Sequence, residues 1–144
     1  MFTTDEKGSI AELAIAHEAS KLNIGVFKPL TDGERYDLIF DLRPKLVRVQ
    51  CKWATRYGDV IVVRCYSCRR TANDLARRGY SCDEIDAVAA YCLELDASYF
   101  SRLKHLTVNA YYNSVSRRQG TTKGEGYVGG PISISRLNFG VLGP

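Results

Sequence analysis

Apolar positions near the start of the chain recur at helical spacing. Ala11, Ile15, Ala19 and Leu22 lie three or four apart and share one face of a helix. A helix is predicted over 8–23, with Gly25 as its C-terminal stop. Val26-Phe27 and Pro29 then lead into a turn at Thr31-Asp32-Gly33. Beyond it the period drops to two. Residues 35–42 read as a strand in which Leu38 and Phe40 face the core, leaving Asp37, Ile39 and Asp41 on the other side. Arg43-Pro44-Lys45 turns the chain, and residues 46–53 read as the next strand. So short a connection predicts an antiparallel hairpin. Along the second strand Val49, Cys51 and Trp53 share an apolar face, while Gln50 and Lys52 project together from the opposite one. Val60 to Tyr66, β-branched and largely apolar, is the third strand.

Residues 81–93 carry two patterns. Ser81 and Glu84 have the spacing of a helix capping box, yet Ile85, Val88 and Tyr91 fit a buried strand and Asp86 would interrupt a helical apolar face. Ala97 to Leu103 is a further strand after a turn at Leu95-Asp96. From about 113 to 131 the chain is rich in Gly, Ser, Thr and Arg. This stretch reads as a mobile, basic polar segment of the kind that orders on nucleic acid. Neither an internal repeat nor a linker interrupts the chain, so one domain is expected over 1–144.

Composition changes this picture little. Apolar residues make up 45% and charged residues 25% of 144 positions, which suits a globular domain able to bury a core. The net charge of +4 is modest, but arginines come in pairs: Arg69-Arg70, Arg77-Arg78 and Arg117-Arg118, with Lys104 and Lys123 besides. Such pairs suit phosphate contacts as well as solvated surface. No run approaches the roughly 18 apolar residues of a membrane span. The acidic start at Asp5-Glu6 lacks the apolar segment of a secretory signal. An odd number of cysteines, five, without an export signal points to a reducing, cytoplasmic setting.

Three side chains then stand out. Asp37 on one hairpin strand, with Gln50 and Lys52 on the other, is a spacing suited to phosphodiester hydrolysis. That reaction needs an activated water and positive charge against the developing phosphorane, and divalent metal ions supply both. Magnesium prefers oxygen ligands and keeps several waters, so one or two carboxylates plus substrate phosphate suffice. Asp37 is the leading ligand, the Gln50 side-chain carbonyl and the Cys51 backbone carbonyl are its neighbours, and Lys52 would hold the water or stabilise transition-state charge. Glu12 is the second carboxylate, because Ile15, Ala16 and Ala19 place it on or beside the apolar face of the first helix. Each residue alone also has an ordinary reading: a strand-end turn for Asp37, a solvated face for Gln50, an edge lysine for Lys52, a helix-flank carboxylate for Glu12. Cys65-x-x-Cys68 resembles half a zinc site, with Cys82, Cys92 or His105 as partners, but no second CxxC or HxxxH follows. His17 and His105 are isolated.

Taken together, Lys7-Gly8-Ser9-Ile10-Ala11-Glu12, Arg35-Tyr36-Asp37-Leu38 and Val49-Gln50-Cys51-Lys52-Trp53 resemble the PD-(D/E)XK nuclease superfamily. The similarity is to its small group I intron-encoded homing endonucleases and their relatives, which share a KGxxAE helix, a YDL strand and a VQxK strand. Residues 84–91 look like the strand that follows. The resemblance spans residues 7 to about 103 and implies an α/β (α+β) restriction-endonuclease-like core, a mixed sheet flanked by helices. It implies Glu12, Asp37, Gln50 and Lys52 as the active-site set, with Glu12 and Asp37 around Mg²⁺ and Lys52 as the catalytic lysine. It also favours a strand over 85–92. Gln50 stands where the wider superfamily has Asp or Glu, which removes one negative charge from the site.

The expected activity is therefore Mg²⁺-dependent endonucleolytic cleavage of double-stranded DNA by a homodimer or homotetramer, since one site cuts one strand. Arg69, Arg70, Arg117, Arg118, Gln119 and Lys123 are the expected DNA contacts, with Gln119, Asn113 or Arg117 reading bases. A structure-selective nuclease, acting on four-way junctions or damaged DNA, and a non-catalytic DNA-binding module are the alternatives.

Overall fold

The computed structural model describes residues 1–31, 33–58, 60–70, 75–103, 113–116 and 135–136. Helix α1 (Thr4–Lys21) is followed by strands β1 (Gly25–Phe27), β2 (Leu38–Asp41), β3 (Leu46–Tyr57), β4 (Val60–Val63), β5 (Tyr66–Arg70), β6 (Leu75–Gly79) and β7 (Ala87–Cys92). A 3₁₀ turn at Leu93–Leu95 leads to β8 (Ala97–Arg102), β9 (Asn113–Ser116) and β10 (Ser135–Arg136).

Helix α1 begins one turn earlier than its apolar period predicts. Thr3 caps it: its hydroxyl accepts from the Glu6 N–H, and the Glu6 carboxylate accepts from the Thr3 N–H at 2.7 Å. This reciprocal box satisfies two orphan donors of the first turn. The helix stops at Leu22 and Asn23, not Gly25. Asn23 adopts φ 59°, a left-handed conformation that asparagine tolerates better than most residues, and Ile24 donates back to Ala19 O at 3.1 Å. Gly25 instead opens β1, where an added Cβ would lie 3.2 Å from the Cβ of Asp41.

The main sheet runs β1-β2-β3-β7-β8-β10, with β4 and then β9 attached at the far end of β3. The β2–β3 hairpin is antiparallel, as expected, with Leu38 opposite Val49. The β3–β7 pair is parallel, with Gln50 opposite Val88 and Lys52 opposite Ala90. Alternation along β3 sorts its residues into two cores. Val47, Val49, Cys51 and the partly buried Trp53 pack with Ala11, Ile15 and Ala19 of α1. Ala54 joins the opposite cluster with Ile61, Val63, Val88 and Ala90. All six residues of β7 are buried, as a strand covered on both faces requires.

Two expectations change, and the strand expected over 85–92 is found as β7. The apolar strand over 60–66 is two elements: β4 ends at Val63, and Tyr66 begins a separate two-stranded ribbon, β5–β6. Residues 81–84 do form the capping contact, with Ser81 N–H on the Glu84 carboxylate at 3.2 Å. However, Asp86 N–H then bonds Arg48 O at 2.9 Å, which draws the chain into β7 before a helix can grow. Within the polar stretch read as mobile, Asn113–Ser116 is a strand paired with β4.

Candidate active site

Asp37 sits immediately before β2. Its N–H donates to Val49 O at 2.9 Å, which extends the ladder one residue and places Asp37 opposite Gln50. Its Oδ2 accepts from the Cys51 N–H at 2.7 Å and from the Gln50 Nε2. Gln50 Nε2 also lies 3.3 Å from Cys51 O. Three oxygen-bearing groups therefore converge: the Asp37 carboxylate, the Gln50 amide and the Cys51 carbonyl. Burial pushes the Asp37 carboxyl above the ordinary aspartate range, and the nearby Glu12 charge adds to this. The Cys51 N–H, Lys52 and Lys28 oppose the rise. The Cys51 thiol itself points into the core, and burial raises it well above the usual value.

Glu12 reaches the site from α1. Its carboxylate accepts from Lys28 Nζ at 2.7 Å, and its charge acts on both Asp37 and Cys51. Lys28 has no period or motif to mark it in the sequence.

Lys52 is held from the other side. Its Nζ donates to the Tyr80 hydroxyl at 2.8 Å and to Tyr66 O at 3.2 Å, and lies 5.0 Å from the Tyr80 ring centre. Burial lowers its pKa, against the pull of Asp37. No carboxylate forms an ion pair with it among the described residues. An ammonium has three N–H donors, and two are used on neutral oxygens, while Asp37 acts on the charge only from beyond ion-pair distance.

Sequence reasoning missed what lies around Lys52. Arg35 stacks 4.6 Å from the Tyr80 ring centre and donates to Ser67 Oγ at 2.8 Å and Gly79 O at 2.9 Å. It also pairs with Glu84, Nε to Oε1 at 3.2 Å. Although burial works against it, Glu84 stays below the ordinary carboxylate range because the Ser81 N–H and Arg35 hold its charged form. Arg35 was findable, being two residues before Asp37 at strand spacing. Tyr80, twenty-eight positions beyond Lys52, was not.

The other candidates fall as follows. Arg69 and Arg70 close β5, opposite Ala76 and Leu75 of β6. Arg77 lies 5.4 Å from the Tyr66 ring centre, and Arg78 is tied to Glu84. Asn113 opens β9. Arg117, Arg118, Gln119, Lys123, Lys104 and His105 lie outside the described residues. None of the five cysteines is in a disulfide, and among the described residues no three His, Cys, Asp or Glu side chains cluster as metal ligands. The donor set at Asp37 instead mixes one carboxylate, one amide and one backbone carbonyl. Such a set fits a hard cation that keeps waters and takes further oxygens from substrate, not a closed cage.

A family model described as PD-(D/E)XK endonuclease matches residues 2–125. Among solved structures, a bacterial homing endonuclease, I-Ssp6803I, matches with a TM-score of 0.72 and 27% identity, covering 86% of this chain and 85% of that one. No curated protein matches by sequence. The α+β architecture, one α-helix over a mixed sheet among the described residues, is consistent with a restriction-endonuclease-like fold and with this structural match.

Proposed function

The chain belongs to the PD-(D/E)XK endonuclease family, and on that ground we propose that it is a Mg²⁺-dependent endodeoxyribonuclease that hydrolyses duplex DNA in the manner of a homing endonuclease. One observation carries this reading. The Asp37 carboxylate, Gln50 amide and Cys51 carbonyl converge on one side, and the Lys52 ammonium, held by neutral oxygens, is electrostatically coupled to Asp37 on the other. Asp37, Gln50 through Oε1, Cys51 through its carbonyl, and Glu12 would hold Mg²⁺. The Gln50 NH₂ now donates to the Asp37 carboxylate and the Cys51 carbonyl, and rotating the amide half a turn would offer its oxygen instead. When bound, the ion would lower the pKa of a coordinated water and neutralise phosphate charge.

The chain's own residues do the rest. Lys52 directs its remaining N–H and its full charge at the phosphate, where negative charge grows in the transition state. Glu12, steadied by Lys28, adds negative potential on the metal side. Arg69, Arg70, Arg117, Arg118, Gln119 and Lys123 are the DNA contacts in this reading, and a two-stranded ribbon such as β5–β6 has the width to enter a major groove. The whole of 1–144 acts as one nuclease domain in the cytoplasm. A homodimer or homotetramer supplies the two sites that a double-strand break requires.

The test is conversion of supercoiled plasmid to linear form with and without Mg²⁺. Metal-dependent cleavage that disappears in Asp37→Ala and Lys52→Ala, while salt-sensitive DNA binding persists, is the expected result. Binding without hydrolysis under Mg²⁺ or Mn²⁺ overturns the enzyme reading. Faster cleavage of a four-way junction than of a linear duplex replaces the homing-type substrate. Light scattering gives the oligomer size.

A further inference from the structure

Building on the nuclease reading of this site, we propose that Tyr80 is a positioning residue whose hydroxyl sets the direction of the Lys52 ammonium. Lys52 has four rotatable bonds and, on strand β3, only its root is fixed. Two contacts fix its tip: the Tyr80 hydroxyl at 2.8 Å and Tyr66 O at 3.2 Å. Both acceptors are neutral, so they orient the ammonium without cancelling its charge. A carboxylate in the place of Tyr80 would hold the lysine equally well and neutralise it.

Tyr80 is itself over-determined, as a positioning group must be. Arg35 lies over its ring at 4.6 Å. Arg35 is in turn anchored to Ser67 Oγ, to Gly79 O and to Glu84, and Glu84 is anchored to the Ser81 N–H. Gly79 and Ser81 flank Tyr80 in the chain, so the backbone on both sides of the tyrosine is pinned. The same contacts anchor the base of the β5–β6 ribbon, because Tyr66 begins β5, Ser67 follows it and Gly79 ends β6. The lysine's tip therefore takes its bearings from the ribbon's base, not from the strand that carries it.

The experiment compares Tyr80→Phe with wild type and with Tyr57→Phe, an exposed tyrosine at the far end of β3 that takes no part in the site. Each protein is assayed at a temperature where circular dichroism shows it folded. The readouts are the single-turnover cleavage rate at saturating enzyme, the DNA dissociation constant, and the rate of reductive methylation of Lys52 by formaldehyde and dimethylamine-borane, followed by mass spectrometry. Tyr80→Phe is expected to slow cleavage between about tenfold and a hundredfold, the range for a misplaced catalytic group. It should leave the dissociation constant unchanged and raise Lys52 methylation severalfold. Tyr57→Phe should match wild type in all three. A Tyr80→Phe enzyme that cleaves at the wild-type rate, or that loses only DNA affinity, overturns the proposal. So does an equal loss in both variants. If wild type itself fails to cleave, the nuclease reading falls, and the methylation comparison alone decides the positioning role, with equal labelling of Lys52 in the two proteins refuting it.

Discussion

Two cations on the same face of β3, Arg48 and Lys52, meet opposite fates. Arg48 closes on Asp86: its backbone N–H and Nε donate to Oδ2 at 2.8 and 3.1 Å, and Nη2 reaches Oδ1 at 3.2 Å. It also donates to the carbonyls of Asp83 and Cys82. These bonds staple the start of β7 to β3, and the Arg48 side chain holds the Asp86 carboxyl below its ordinary pKa. Lys52, four residues along, has only a phenol and a carbonyl. The nearest counterpart of Asp86 is Asp37, whose carboxyl burial pushes up, not down. A charge that is satisfied holds the fold together. One that is oriented by neutral oxygens is available to a substrate.

The sharpest way to break this contrast is Lys52→Ala. Cleavage should fall by about two to three orders of magnitude or more, the usual loss on removing one transition-state charge contact, with the melting temperature held or raised. A melting temperature that drops as cleavage fades would make Lys52 a second Arg48. Next comes Asp37→Asn, which keeps the shape of the side chain and removes its charge. Calorimetric titration with Mg²⁺ or Mn²⁺ should show a loss of affinity on the order of tenfold or more, since a contacting charge is worth roughly 1–4 kcal/mol at protein surfaces. Gln50→Ala should lose less, and equal losses would mean the donors are arranged differently. Arg48→Met should do the reverse of Lys52→Ala. Its pair is about one-third exposed (34% and 28%), so a loss of about 1–2 kcal/mol is expected, a fall in melting temperature of about 3–6 °C, with single-turnover cleavage at a permissive temperature little altered.

The smallest effects come from pH. Asp86 has a lowered folded-state pKa, so its contribution is complete above the ordinary carboxylate value and is lost as pH falls through the lowered one. Asp37 has a raised folded-state pKa, so the folded protein loses stability as pH rises through that raised value. Urea midpoints should therefore show Asp37→Asn more stable than wild type at neutral pH, with the gap closing below the ordinary carboxylate range. A gap that stays constant with pH would place its origin elsewhere. Cleavage should lose its acid limb at a pH above that of an unperturbed aspartate, because the metal competes with the Asp37 proton.

The parts legible in the sequence were those written in a local period. The helix face of Ala11, Ile15 and Ala19, the β2–β3 hairpin, and the shared side of Gln50 and Lys52 all follow from spacings of three to four or of two. The ends were less legible. Thr3 and Glu6 carried a capping signal that the apolar period alone overlooks, and Asn23 took the left-handed position that a glycine nearby advertised. The break at Arg64-Cys65 is invisible in a valine-rich run, because β-branched residues favour strand on either side of a bend. Arg35 stands at strand spacing before Asp37, but Tyr80 and the pairing of Arg35 with Glu84 were beyond reach, since they depend on where the base of the ribbon meets Arg35 and Lys52 and no local spacing encodes that.

The double duty of β3 has a consequence for how such a chain can change over generations. Alternate residues of one strand build the helix-facing core on one side and present Gln50 and Lys52 on the other. A single inserted or deleted residue between Val47 and Trp53 would exchange the two sets, aiming Gln50 and Lys52 at the helix and Val49 and Cys51 at the opposite face, beside Asp37. Length variation in descendants of this gene is therefore confined to turns and to the ribbon, while β3 can drift only by substitution.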